Sequence, residues 1–102
     1  MFTGDKYVTR GVAQLPSWIP EVVYAMIKEA SKKVELDYLQ VFDIKSVMDS
    51  GSKNNWFCNI THTQEVPEYM HQICVNSNEP VNEKLFCIDD KTHSTILLSS
   101  EY

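Results

Sequence analysis

The chain contains 102 residues, of which 43% are hydrophobic and 23% are charged, and its formal net charge is −5. This length fits one domain over residues 1–102, and the composition excludes collagen-like, low-complexity and disordered chains. The acidic balance argues against nucleic acid as a partner, because phosphate binding depends on clustered Lys and Arg side chains, which are scattered here.

An amphipathic helix is the strongest local pattern, and a strand precedes it. We predict the strand over residues 7–13, where Gly11 marks a bulge or a close contact with the helix. Ser17 suits the N-cap of the helix and Pro20 its first turn. The apolar residues at helical spacing are Ile19, Val22, Val23, Met26, Ile27 and Ala30. Such an apolar face must be buried, so the helix needs a hydrophobic surface to pack on.

Strand-like segments supply this surface in the rest of the chain. They cover residues 39–48, 56–64, 69–76, 84–88 and 93–98, and a longer polar loop spans residues 49–55. The segments after that loop are joined by short polar turns, which predicts an antiparallel meander. The fold class is therefore α+β, with one N-terminal amphipathic helix packed on a curved antiparallel sheet of about six strands. A single helix cannot cover a wide flat sheet, so we expect the sheet to curl and to leave an open end as a pocket.

One hairpin has a defined register if residues 65–68 form its loop. Gln64 then faces Tyr69, and His62 faces His71 on the neighbouring strand. One face of this hairpin carries mostly apolar side chains, at Trp56, Cys58, Ile60, Tyr69, Ile73 and Val75. Because the other face is mostly polar, we expect the helix to cover the first face only.

The two opposed histidines are a candidate metal site, with Glu65 in the connecting turn as a third ligand. Zinc binds four ligands, or three and a water molecule. His93 is a further imidazole, although nothing in the local sequence brings it near the pair. The alternative is that His62 and His71 lie at the polar rim of the core, where they form hydrogen bonds or titrate against each other.

Further candidate binding residues lie at turns and at the ends of elements. Asp89 and Asp90 could divide acid and base roles, but a hairpin turn also favours Asp, because its carboxylate binds the local backbone. Trp18 and Trp56 suit a planar ligand or a protein partner at the rim of the sheet, or else core packing. His93 is a weaker binding candidate. It cannot form a catalytic pair with the next residue, a serine, because neighbours on a strand point to opposite faces.

The cysteine pattern and the hydropathy of the chain favour a cytoplasmic protein. Cys58, Cys74 and Cys87 are odd in number and form no C-x-x-C pair, which is typical of reduced thiols. No run approaches the roughly 18 apolar residues of a membrane span. The N-terminal residues also lack the order of a signal peptide. We therefore expect a cytoplasmic location and no membrane contact.

Four sequence blocks resemble a known family. They are residues 7–12, 37–42, 62–67 and 88–98, which read Tyr-Val-Thr-Arg-Gly-Val, Asp-Tyr-Leu-Gln-Val-Phe, His-Thr-Gln-Glu-Val-Pro and Ile-Asp-Asp-Lys-Thr-His-Ser-Thr-Ile-Leu-Leu. Together they resemble an uncharacterised family of low-GC Gram-positive bacteria, domain of unknown function number nine-sixty. The resemblance implies an α+β roll of the cystatin-like or nuclear-transport-factor-like kind. It implies no activity, cofactor or catalytic residue.

We interpret the chain as a non-catalytic binding or protein-interaction module without a cofactor. It would hold a protein or a small molecule at the open end of the sheet or along a strand edge. The alternative is a small metal-dependent protein or enzyme that uses His62, His71 and Glu65. The unpaired edges of such a sheet are also compatible with a homodimer, although charges and Pro often protect them.

Overall fold

A computed structural model describes residues 1–51 and 54–102 of the chain. Its elements in chain order are β1 (Asp5–Val8), α1 (Arg10–Ala13), α2 (Trp18–Ser31), β2 (Leu39–Met48), β3 (Trp56–Gln64), β4 (Tyr69–Ser77), β5 (Glu83–Asp89), β6 (His93–Leu98) and a final 3-10 turn (Ser99–Glu101). The predicted α+β class, with an N-terminal helix on a six-stranded sheet, is confirmed. The predicted loop over residues 49–55 contains Ser52 and Lys53, which lie outside the described residues.

The order of the strands in the sheet is β1-β6-β5-β2-β3-β4, which is not a simple meander. β2, β3 and β4 follow one another, but β5 pairs with the free side of β2, and β1 runs parallel to β6. The prediction of a continuous antiparallel meander is therefore wrong after β4. In the observed order β5 lies in the middle of the sheet, where its Leu85 and Cys87 side chains are completely buried in the core.

The segment before the long helix is a short strand followed by one helical turn. β1 ends at Val8, and the Thr9 hydroxyl then accepts a hydrogen bond from the Val12 N–H (3.4 Å), which caps α1. The predicted strand over residues 7–13 is therefore wrong from Thr9 onward. Gly11 lies in α1, where a Cβ atom would stand 2.7 Å from a methyl carbon of Leu98. Gly11 thus permits a close contact and does not form a bulge.

The helix α2 buries its apolar face against the middle of the sheet. Its buried residues are Ile19, Val23, Met26, Ile27 and Ala30. All of these except Ala30 belong to a core cluster that includes Phe42, Ile44, Cys58, Ile60, Leu85, Cys87 and Ile96 of the strands. At about 1.5–3 kcal/mol for each large apolar side chain removed from water, this contact is the main stabilising feature of the fold. Ser17 precedes the helix, but its side chain makes no capping hydrogen bond.

The register of the β3–β4 hairpin is as predicted. Gln64 pairs with Tyr69, and His62 pairs with His71. We call the helix-covered side of the sheet the inner face and the opposite side the outer face. Phe57, Met70 and Cys74 are apolar residues of the outer face, and all three are exposed. Within residues 1–51 and 54–102, no helix has the length and apolar character of a membrane span.

Candidate functional site

A buried polar network surrounds His62 at the inner face. The His62 Nε2 atom donates to the Gln40 Oε1 atom over 2.6 Å. The Gln40 amide nitrogen donates in turn to the Gln64 Oε1 atom (2.7 Å) and to the Asp37 carbonyl (2.8 Å). All three side chains are buried, with exposed fractions of 0% for His62 and Gln40 and 4% for Gln64. Since unpaired buried polar groups are costly, this network fixes how β2 and β3 meet.

Gln64 extends the network to the two chain connections beside it. Its amide nitrogen donates to the Glu35 carbonyl (2.9 Å) and to the Pro67 carbonyl (2.7 Å). Its Oε1 atom also accepts the Asp37 N–H (3.0 Å). One side chain therefore joins the segment before β2 to the turn between β3 and β4. These contacts show that Gln64 has a structural role.

The imidazole of His62 is packed between aromatic rings. The Phe42 ring stacks on it at 4.3 Å and 15°, and the Tyr69 ring meets it edge-on at 5.6 Å. Burial, with a smaller contribution from His71, lowers the pKa of His62 to about 4. The ring is therefore neutral at pH 7, and Nε2 carries the proton that Gln40 accepts. Its Nδ1 atom is buried and has no hydrogen-bond partner in the described part of the chain.

The predicted metal ligands are only partly brought together. His62 and His71 face each other, as the register requires. Glu65, however, is exposed in the turn, and His93 lies on β6, which β5, β2 and β3 separate from β4. Among residues 1–51 and 54–102, no three His, Cys, Asp or Glu side chains lie close enough together to hold a metal ion. The Nε2 atom of His62 is also already engaged by Gln40.

The acidic pair at the β5–β6 turn takes part in local backbone contacts. The Asp89 carboxylate accepts the Phe2 N–H (3.0 Å) through one oxygen and the Lys91 N–H (3.4 Å) through the other. Asp90 lies 3.7 Å from the Nε2 atom of His93, and its own N–H donates to the His93 carbonyl (2.7 Å). The His93 ring also meets Tyr7 edge-on. These contacts are typical of turn residues.

The two tryptophans lie at the margin of the core. Trp18 is half-buried, packs against the core cluster, and has a buried Nε1 atom without a partner among the described residues. Trp56 is half-buried at the start of β3, where it pairs with Ser77 and Met48. Neither residue lines the groove described next.

A groove on the outer face is the feature that the sequence analysis missed. It has a volume of about 520 Å³ and is lined by Asp37, Tyr38, Leu39, Val41, Thr63, Gln64, Glu65, Glu68 and Lys84. We call it the outer groove. Leu39 and Val41 of β2 form its apolar floor. The signal for it was that β2 carries apolar residues on both faces, with Leu39 and Val41 on the outer face and Phe42 and Ile44 on the inner face.

The floor of the outer groove continues into a wider apolar area. Val41 pairs with Phe86, and Phe86 pairs with Leu97, so one row of apolar side chains crosses three strands. Leu39 pairs with Ile88 in the next row on the same face. The Tyr102 ring covers Phe86 edge-on at 5.5 Å. No helix of the described chain lies over this side of the sheet, because the apolar face of α2 packs on the inner face.

Comparisons with known proteins agree with this fold. A crystal structure of a protein of unknown function from Enterococcus faecalis has a TM-score of 0.70 and 21% sequence identity, and the match covers 97% of this chain and 91% of that one. At this identity the likeness shows a shared fold alone. No curated protein matches the chain. A family described as "Staphylococcal protein of unknown function (DUF960)" matches residues 5–101, which include all four blocks of the resemblance. The chain therefore belongs to this family of unknown function, as its sequence blocks predicted.

Proposed function

We propose that the protein is a non-catalytic binding module, and that the outer groove is the surface with which it binds a segment of a partner protein. The observation that carries this proposal is the apolar floor of the groove, which lies between carboxylates. Interaction sites commonly combine a small apolar centre with a polar rim.

The floor of the groove is rigid, which favours recognition. Leu39 and Val41 lie on β2, which is paired with β3 on one side and with β5 on the other. A central strand of this kind holds its side chains in place with little loss of entropy on binding. Tyr38 adds an aromatic ring that is 53% exposed, and exposed tyrosines are enriched at the centres of protein interfaces.

The charges of the rim indicate what the occupant carries. Asp37, Glu65 and Glu68 contribute carboxylates, while Lys84 contributes one ammonium group. Glu65, Glu68 and Lys84 are exposed, and the chain as a whole carries a net charge of −5. The complementary occupant is a segment with apolar side chains flanked by Lys or Arg, since opposite charges steer association and exclude acidic competitors.

The other function considered, a metal-dependent one through His62, His71 and Glu65, has no specific observation in its favour. Glu65 belongs to the rim of the outer groove, whereas His62 is buried in the polar network. The free thiols of Cys58, Cys74 and Cys87 suit a reducing compartment, so we propose that the module acts in the cytoplasm.

The proposal is tested by titrating ¹⁵N-labelled protein with two short peptides, one of alternating Arg and Leu and one with Glu in place of Arg. The basic peptide is expected to shift the backbone amide signals of Tyr38, Thr63 and Glu68. Glu68→Lys should weaken this binding by up to about fivefold, the size expected for one exposed ion pair.

Glu79→Lys is the matched control, because Glu79 is also exposed and does not line the groove. It should leave the shifts unchanged. Equal responses to the two peptides, or shifts that lie mainly outside the groove, would contradict the proposal.

A further inference from the structure

The strand β4 forms one edge of the sheet and is regular along its whole length. It pairs with β3 through nine consecutive residue pairs, from Tyr69 to Ser77, without a bulge. On its other side it has no strand partner within residues 1–51 and 54–102. Its outward-pointing backbone N–H and C=O groups are therefore free to pair with another strand.

β4 lacks the features that usually protect an edge strand. Natural edges are kept short, charged, bulged or interrupted by Pro, because an open edge otherwise pairs with another chain. The other edge, β1, has only four residues and carries Asp5 and Lys6. The nine residues of β4 include no Asp, Glu, Lys, Arg or Pro. The contrast between the two edge strands of this sheet favours pairing of β4 with another strand.

The side chains of β4 are open to a partner on both faces. Met70, Gln72, Cys74 and Asn76 are exposed on the outer face. On the inner face, Ile73 and Val75 pack against the core cluster but remain only half-buried. A neighbouring strand would complete the burial of these two apolar residues.

We propose that a second copy of this chain pairs antiparallel with β4 about a two-fold axis at Ile73. Full overlap of the strand with its copy places Ile73 opposite the partner's Ile73. It also places His71 opposite the partner's Val75, and Gln72 opposite the partner's Cys74. Apolar and uncharged side chains thus face one another in every pair, as an isologous contact requires. No charged residues meet, so the net charge of −5 on each copy does not oppose the contact locally.

This register has two consequences for the assembly. Residues that oppose each other in this register project from the same face of the sheet. Both α2 helices therefore lie on one side of a continuous sheet, and both outer grooves lie on the other. A single strand-to-strand contact also buries less than the about 1,200–2,000 Å² of a stable interface. We therefore expect the dimer to dissociate on dilution.

Sedimentation velocity in reducing buffer, from micromolar to near-millimolar protein, tests the proposal. The wild-type mass should rise from one copy to two with concentration. Cys74→Lys adds an exposed charge to the edge of each copy, on the same outer face, and should weaken the dimer about tenfold. Val47→Lys is the control, since Val47 is 58% exposed on the outer face of β2, an interior strand. It should leave the dimer unchanged.

A charge-swapped pair tests the register itself. Gln72→Glu combined with Cys74→Lys places a carboxylate opposite each introduced ammonium group, so the double variant should regain the dimer that Cys74→Lys loses. A one-copy mass at all concentrations, a dimer that Cys74→Lys does not weaken, or failure of the double variant to recover would overturn the proposal. Glu68→Lys, which probes the outer groove, should leave the mass unchanged. The sedimentation experiment therefore tests the dimer independently of the proposed function of the groove.

Discussion

His62 donates its Nε2 proton to the Gln40 Oε1 atom over 2.6 Å, and both side chains are completely buried. This bond joins β3 to β2 beneath the helix, and the Gln40 amide nitrogen donates a further hydrogen bond to Gln64. A polar network at this depth makes stability depend on every member being paired.

Replacing Gln40 by Leu should therefore destabilise the protein by about 1–3 kcal/mol, because the His62 N–H would be left buried without an acceptor. Urea unfolding followed by circular dichroism measures this change. Gln14→Leu is the control, because Gln14 is exposed and its side chain makes no hydrogen bond with residues 1–51 or 54–102. It should change the free energy of unfolding by less than about 0.5 kcal/mol. An unchanged midpoint for Gln40→Leu would show that the network does not support the fold.

The second prediction concerns pH. Burial lowers the pKa of His62 from 6.5 to about 4, so between these values the unfolded chain binds a proton that the folded chain does not. This contribution to stability is fully present above pH 6.5 and is lost as the pH falls toward 4. It amounts to at most about 3 kcal/mol. The free energy of unfolding should rise with pH across this window, as urea titrations at several pH values would show.

His62→Gln should flatten this pH dependence between about pH 4.5 and 6.5, because the replacement cannot be protonated. His93→Gln is the matched control and should leave it in place, since His93 lies on β6, outside the buried network of His62. If His62→Gln keeps the full slope, another group is responsible.

The third prediction concerns two glycines with different surroundings. A Cβ atom on Gly4 would collide with the backbone carbonyl of Thr92, whose carbon would be 2.7 Å away. On Gly51, the only neighbour it would meet in the described part of the chain is Asp49, at 3.5 Å. Gly4→Ala should lower the free energy of unfolding by about 1–3 kcal/mol, because the segment that leads into β1 must move away from the β5–β6 turn. Gly51→Ala should have little effect. Thermal melting of both variants compares them directly, and equal melting temperatures would contradict the expectation.

The fourth prediction concerns thiol reactivity. Burial raises the pKa of Cys87 to about 12, and Cys58 is also completely buried, whereas Cys74 is exposed on β4. Because the thiolate is the reactive form, an aromatic disulfide reagent should modify Cys74 rapidly in the folded protein and the other two only after unfolding. Cys74→Ser should abolish the rapid phase. Rapid modification of a second thiol would mean that the core opens more readily than its packing indicates.

Local patterns predicted some parts of this molecule better than others. The spacing of Ile19, Val23 and Met26 identified α2, and the loop at residues 65–68 identified the pairing of His62 with His71. The strand assigned to residues 7–13 was wrong after Val8, because the Thr9 side chain caps the helical turn α1 that begins at Arg10. The outer groove was missed, since its residues come from β2, β3, β5 and two connections.

The sequence by itself therefore determined the α+β class, the long helix, the family and the register of one hairpin. These features depend on hydrophobic periodicity and turn length, which act between residues close in the chain. The tertiary structure decided that β5 pairs with β2, that the outer groove forms, and that β4 is left as an uncharged edge. Strand order depends on which distant segments together bury the most apolar surface. It therefore cannot be predicted from patterns among residues close in the chain.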